Sequence, residues 1–357
     1  MGFFSFRIAA VATALWCCIA ATPVQAEDSQ YHLGQGLDVG DFNIAGYANV
    51  VGNLPTGGER KSLVLDDLSL YVSGRLNQAI NPFMETELAG YPLLQSGGTS
   101  LPGGQGRVVL ERLYNDTLLS DSFTLRLGKM LTAVGEWNQI HAAPLVWTTT
   151  RPLSTYQSYS EYTSGASLLY SDPGSNLPDV QLYWQPDRDI APRPSDLVAR
   201  QYYSIVGGEV SWPIGLTDKI GVSAQRSRVV DSDATQYLAG FNARYSFDRF
   251  TLDSESTYTT ISGHEVGAVR STEFGGYVLG SYALTESWSL LSWYEYFQDR
   301  NATAPIQDVL VGISYRPQPP LVWKLEYLKN IGGGSLTSEG GAVDTRNGVY
   351  ASFSVLF

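Results

Sequence analysis

The residues of this sequence with chemistry to do are charged side chains set at every second position within apolar segments. Arg75 closes DDLSLYVSGR, Glu85 and Glu87 alternate in NPFMETELA, and Arg126 sits in TLRLG. Further along, Arg244 falls in FNARYSF, Asp253 and Glu255 in TLDSEST, and Lys324 and Glu326 in LVWKLEYL. In an extended chain such charges share one face and leave the other apolar. They could transfer protons, hold a metal or impose a field on an aqueous passage. Catalysis would need a nucleophile beside an activating base. The three histidines, His32, His141 and His264, sit in no Ser/His/Asn or Asp/His arrangement, and His264-Glu265 has no second ligand nearby. The reading is therefore no catalytic residue, no metal and no cofactor; the protein is not expected to be an enzyme. What remains is electrostatic control of a watery lumen.

Elements that could position these charges follow from period two. TQYLAGFNARYSF sets Tyr237, Ala239, Phe241, Ala243 and Tyr245 against Gln236, Gly240, Asn242, Arg244 and Ser246, and PLVWKLEYL sets Leu321, Trp323, Leu325 and Tyr327 against Lys324 and Glu326. Read this way, the chain resolves into sixteen segments at 41–51, 62–77, 80–91, 106–117, 121–130, 162–171, 178–186, 198–213, 216–229, 234–248, 250–262, 270–284, 286–299, 304–317, 319–331 and 344–357. Alternating segments of about ten residues separated by turn residues are the pattern of a membrane barrel. The connections alternate short (NQ, WPIG, SFDR, ALTE) and long, which puts turns at one end and loops at the other. The fold class is thus all-β: an antiparallel transmembrane β-barrel of about 16 strands with short periplasmic turns and long extracellular loops. An interior of that width stays aqueous unless something narrows it. The longest connection, 131–161, exceeds the usual length of an unstructured loop and carries Glu136, Trp137, His141, Trp147, Arg151 and Glu161. It is expected to fold into the lumen. The expected lining is then Arg75, Glu85, Glu87, Arg126, Glu136, His141, Arg151, Arg244, Asp253, Glu255, Lys324 and Glu326. Of the neighbours Glu111 and Arg112, only one is expected to face inward.

The ends bound the rest. Arg7, the apolar run IAAVATALWCCIAA and Val24-Gln25-Ala26 read as a signal peptide over 1–26, followed by a lead-in at 27–40 and the barrel at 41–357. Both cysteines, Cys17 and Cys18, lie inside the signal, so no disulfide or thiolate site is expected beyond it. The formal charge of −12 disfavours nucleic acid as a partner. No later apolar run approaches the roughly 20 residues of a membrane helix. The final segment, NGVYASFSVLF, puts Val349, Ala351, Phe353, Val355 and Phe357 on one face.

With these features the sequence resembles Gram-negative outer-membrane porins. The stretch TLRLGKMLTAVGEWNQIHAAPLVWTTTRP is similar to a segment of the phosphate-selective-porin-like superfamily, with Arg126, Gly128, Lys129, Gly135 and Asn138 as the matching residues. The resemblance implies residence in the outer membrane of a Gram-negative bacterium, amid lipid and lipopolysaccharide, as a homotrimer. It implies that Phe353, Val355 and Phe357 are read by the barrel-assembly machinery. The implied function is passive diffusion of small hydrophilic solutes and ions, the alternatives being a solute-selective channel or a barrel whose loops serve as adhesin or receptor. One departure counts against phosphate: the five lysines, at 61, 129, 219, 324 and 329, are scattered over distant segments.

Overall fold

The computed structural model describes residues 31–56, 61–96, 106–194, 198, 200–215, 217–334, 336–337, 343–344 and 346–357. Residues 1–30, which include the expected signal segment 1–26, lie outside the described residues. Sixteen barrel strands are described: β1 Phe42–Pro55, β2 Ser62–Gly74, β3 Asn81–Gln95, β4 Arg107–Leu118, β5 Phe123–Leu131, β6 Tyr162–Tyr170, β7 Asp179–Gln185, β8 Tyr202–Pro213, β9 Lys219–Val229, β10 Thr235–Phe247, β11 Phe250–Ser262, β12 Thr272–Ala283, β13 Trp288–Gln298, β14 Ile306–Gln318, β15 Leu321–Asn330 and β16 Gly348–Leu356. Each pairs antiparallel with the next, and β16 returns to β1, so the sheet closes. Closure removes the unpaired edges that an open sheet would present.

The alternation that made these strands also sorts their faces. On β10, Asn242 is 1% exposed while its neighbour Phe241 is 44% exposed. Aromatic and aliphatic side chains cover the outside, Trp323, Leu325 and Tyr327 on β15 among them, while serines, glutamines and carboxylates fill the buried face. No described helix is long and apolar enough to cross a membrane, but a closed barrel with an apolar exterior satisfies every backbone group internally and spans with its strands.

The seam is made at Gly46. Gly46 and Phe357 exchange two backbone hydrogen bonds of 2.8 Å, and the Phe357 ring lies over Gly46 on the outer face. A Cβ at Gly46 would stand 2.8 Å from that ring and 2.3 Å from the Ser69 carbonyl oxygen, so a larger residue would force the last strand away. Beyond the C terminus the edge of β1 is covered by part of the lead-in. Residues Tyr31–His32 and Gly36–Val39 form a small hairpin whose second arm pairs with Phe42–Ile44. The alternation did not reveal these short strands. Elsewhere the ends move by a few residues: the first strand runs on to Pro55, and the last begins at Gly348.

Candidate functional site

The barrel interior is not an open cylinder. Residues 132–161, between β5 and β6, hold one short helix, α1 Trp137–Ile140, and a 3-10 turn at Leu153–Thr155. Asn138 gathers the two ends of the segment, its side-chain amide donating to the Thr132 and Glu161 carbonyls at 2.9 and 3.0 Å. Trp137 packs among Tyr277, Leu279, Trp293, Leu310 and Leu328, edge-on to Tyr277. Val134 meets Leu238, and Leu153 meets Phe297 and Ile306. These seats lie on the inward faces of β10 and β12 to β15. One segment touching that face from β10 to β15 lies inside the ring.

Carboxylates on this wall hold the segment by its backbone. Glu255 accepts from the Glu136 and Trp137 amides at 3.1 and 2.7 Å. Glu295 accepts from Ser154 N at 3.1 Å, and Glu326 from Thr149 N and Thr150 N at 2.9 and 2.6 Å. An irregular segment buried in a barrel carries amides without strand partners, and a carboxyl oxygen on the facing wall supplies the missing acceptor. Cations do the converse: Lys324 Nζ donates to the Ala143 carbonyl at 2.7 Å and Arg316 to the Pro144 carbonyl at 2.6 Å. Glu136 pairs with Arg244 at 2.6 Å, and Arg244 also holds Asp253.

The wall formed by β1 to β5 is built differently. Arg126 forks onto Asp116 at 2.7 and 2.8 Å and stacks over Tyr114. Arg112 pairs with Glu85 and stacks over Phe83, and Phe83 lies on Tyr114 with ring centroids 5.1 Å apart. Here two expectations are corrected. Arg75 is not part of the strand wall: β2 ends at Gly74, and Arg75 is exposed in the connection that follows and does not line the cavity described below. Glu111 and Arg112 both face inward, because the register steps from Glu85↔Arg112 to Thr86↔Leu110 and leaves Glu111 as an extra, bulged residue.

Glu111 is used by Arg193, which comes from the connection between β7 and β8. Its guanidinium reaches Glu111 at 2.5 Å, Glu87 at 3.1 Å and Glu161 at 3.6 Å. The connection is pinned by Lys129, whose Nζ meets the Ala191 carbonyl at 2.6 Å and Asp189 at 2.9 Å. Arg151 closes the set through Glu161.

Between the inserted segment and the first strands lies a cavity of about 140 Å³, lined on one side by Tyr47, Asn49, Asp66, Asp67 and Glu87 and on the other by His141, Thr149 and Arg151. Burial pushes the His141 imidazole down to about 3, and Arg112 and Arg151 add to the effect, so the ring is neutral at physiological pH. Burial would raise the Glu161 carboxyl, but Arg151 and Arg193 outweigh it and hold the group below its usual range. Among the described residues no group of three or more His, Cys, Asp or Glu is placed to hold a metal ion.

The sequence-based set thus divides. Glu87, His141, Arg151 and Lys324 reach the cavity. Glu136, Arg244, Asp253, Glu255 and Glu326 join the inserted segment to the wall, while Glu85 and Arg126 lie on the aromatic ladder. Sequence reasoning missed Arg193, hidden in a proline-rich connection, and the pair Asp66-Asp67. The latter had a signal: in LDDL two apolar residues flank two charges, which strict alternation cannot place on opposite faces.

No protein-family model matches the chain, and no curated protein does. Solved structures do share its fold. OmpF of Salmonella typhi in complex with daunomycin is 13% identical, with 88% of this chain and 97% of that chain covered and a TM-score of 0.65. An anion-selective porin from Comamonas acidovorans is 14% identical over 88% and 98%, with a TM-score of 0.55. The trimer form of in-vitro folded OmpT, an outer membrane protein of Vibrio cholerae, is 12% identical over 90% and 99%, with a TM-score of 0.59. The likeness is one of fold, that of the closed outer-membrane porin barrel.

Proposed function

We propose that the protein is a channel of the Gram-negative outer membrane through which small hydrophilic solutes and ions diffuse passively. The observation that carries this reading is the polar cavity left between the inserted segment and the β1–β3 wall. Residues 132–161 act as the constriction, with Glu87, His141 and Arg151 at its rim and Glu136, Arg244, Asp253, Glu255, Lys324 and Glu326 fixing its position. A passage of this kind requires no cofactor and no catalytic group. Residues 1–26 serve as the export signal, and the long loops stand among lipopolysaccharide on the outer side.

Two partner readings accompany it. The outer face of β16 presents Phe353, Val355 and Phe357, which we read as the mark recognised by the barrel-assembly machinery; Phe353 packs against Trp323 in a tilted pair with centroids 4.3 Å apart. A homotrimer is supported by the trimeric form of a barrel with the same fold. The test of the function is conductance of the refolded mature chain in planar bilayers. Discrete steps that scale with salt concentration are expected. A folded, inserted barrel that conducts nothing would overturn the reading.

A further inference from the structure

We infer that Asp66 and Asp67 set the charge preference of the passage, and that it favours small cations; this rests on the channel reading above. The argument starts from register. Asn49 pairs with Asp67, but the next residue of β1, Val50, pairs with Leu65, so β2 carries one residue more than β1 at this level. On the other side Leu65 pairs with Tyr91 and Asp67 with Ala89, leaving Asp66 opposite Gly90. Gly90 takes φ +63°, a conformation open to glycine, and so lets β3 follow the kink. A bulge re-aims side chains. Without it Asp66 would sit on the lipid side between neighbours that face inward, where a charge near the midplane is costly. With it, Leu65 and Leu68 both stay outside while Asp66 and Asp67 both line the cavity.

The charge state of the remaining lining makes the pair distinctive. Glu87 shares the Arg193 guanidinium with Glu111 and Glu161, and Glu161 also pairs with Arg151. Arg151 spends its remaining donors on Thr155 and Asn138, and Lys324 spends its ammonium on backbone carbonyls of the inserted segment. Among the described residues, Asp66 and Asp67 are the cavity-lining carboxylates without an ion pair. Asp66 accepts one neutral hydrogen bond, from Asn49 at 3.1 Å, and is exposed although it lies inside the ring; Asp67 shares a side-chain hydrogen bond with Glu87. The carboxyls of Asp66, Asp67 and Glu87 outnumber the one guanidinium, Arg193, that faces them and that Glu111 and Glu161 also use, so a net negative charge remains. Low-dielectric walls concentrate its field and raise the local concentration of counter-ions. The cations of this interior are held by fixed partners and offer a mobile anion little.

The test is the reversal potential of single channels under a potassium chloride gradient, for the full mature chain and for D66N/D67N. The wild type is expected to prefer potassium, and the double variant to lose most of that preference while still conducting. Asp66→Lys is the second variant, since an exposed position tolerates it; it should move the reversal potential toward chloride. Conducting variants with an unchanged reversal potential would overturn this inference and leave the channel reading intact. A chloride-preferring wild type would do the same. A folded wild type that never conducts would overturn both.

Discussion

On β11, β13 and β15 the inward carboxylates Glu255, Glu295 and Glu326 meet backbone amides of the inserted segment, whereas on β2 Asp66 and Asp67 meet a cavity. Both groups sit on inward faces of the same barrel. The difference is what stands opposite them. Where a segment of irregular chain is folded against the wall, its unpaired amides consume the charge, and the carboxylate becomes part of the scaffold. Where no segment reaches, the charge faces the cavity. A charged residue inside a barrel therefore takes its role from what packs on it more than from its own face.

Removing the inserted segment should have the largest effect, because it erases the contrast. Replacing residues 136–158 by a short glycine-serine link should raise single-channel conductance severalfold; an unchanged value would place the narrow point elsewhere. Next, Glu326→Ala should loosen the segment without removing it. It deletes two hydrogen bonds from backbone amides, each worth about 0.5–1.5 kcal/mol, so the unfolding midpoint in detergent should fall and the current should become noisier.

A smaller effect concerns His141. The folded chain keeps this ring neutral down to about 3, while an unfolded chain takes up the proton near its ordinary value of about 6.5. Between those values the unfolded state binds more protons, so stability contributed by the neutral ring is full above the upper value and declines as pH falls toward the lower one. His141→Gln should flatten that part of the pH dependence, by up to about 1.4 kcal/mol per pH unit. The same slope in both proteins would contradict the burial described here. Smallest of all is Arg75→Ala: an exposed turn residue should leave conductance and reversal potential unchanged within error, and a clear shift would return Arg75 to the passage.

The barrel was legible because period two is a direct consequence of one face meeting lipid and the other water. Segments such as 250–262 are read to the residue. Where reading failed, the alternation itself was broken. The bulges at Asp66 and Glu111 each admit an extra residue, so parity counted from one end of the strand gives the wrong side beyond them. Parity alone therefore admits only one of Glu111 and Arg112 to the inside, and the doubled aspartate of LDDL marks the other bulge. Parity continued past Gly74 puts Arg75 inside, but the strand ends at Gly74. Arg193 lay beyond the reach of periodicity, since its position comes from Lys129 holding a connection whose own sequence has no repeat. The pairing of Glu255, Glu295 and Glu326 with amides of residues 136–154 was equally invisible, because backbone donors leave no mark in a sequence.

The contrast between the two walls can be measured in one experiment. The chain has no cysteine after Cys18, so single cysteines can be introduced without background. Asp66→Cys stands on the open wall, and Thr257→Cys stands on the covered wall, where Thr257 is buried against Ser158. A charged, membrane-impermeant thiol reagent would be added to each folded, conducting barrel. The account predicts rapid modification and a stepwise change of current for Asp66→Cys, and no change for Thr257→Cys. Reaction at Thr257→Cys with silence at Asp66→Cys would contradict it, because solutes would then pass on the other side of the inserted segment.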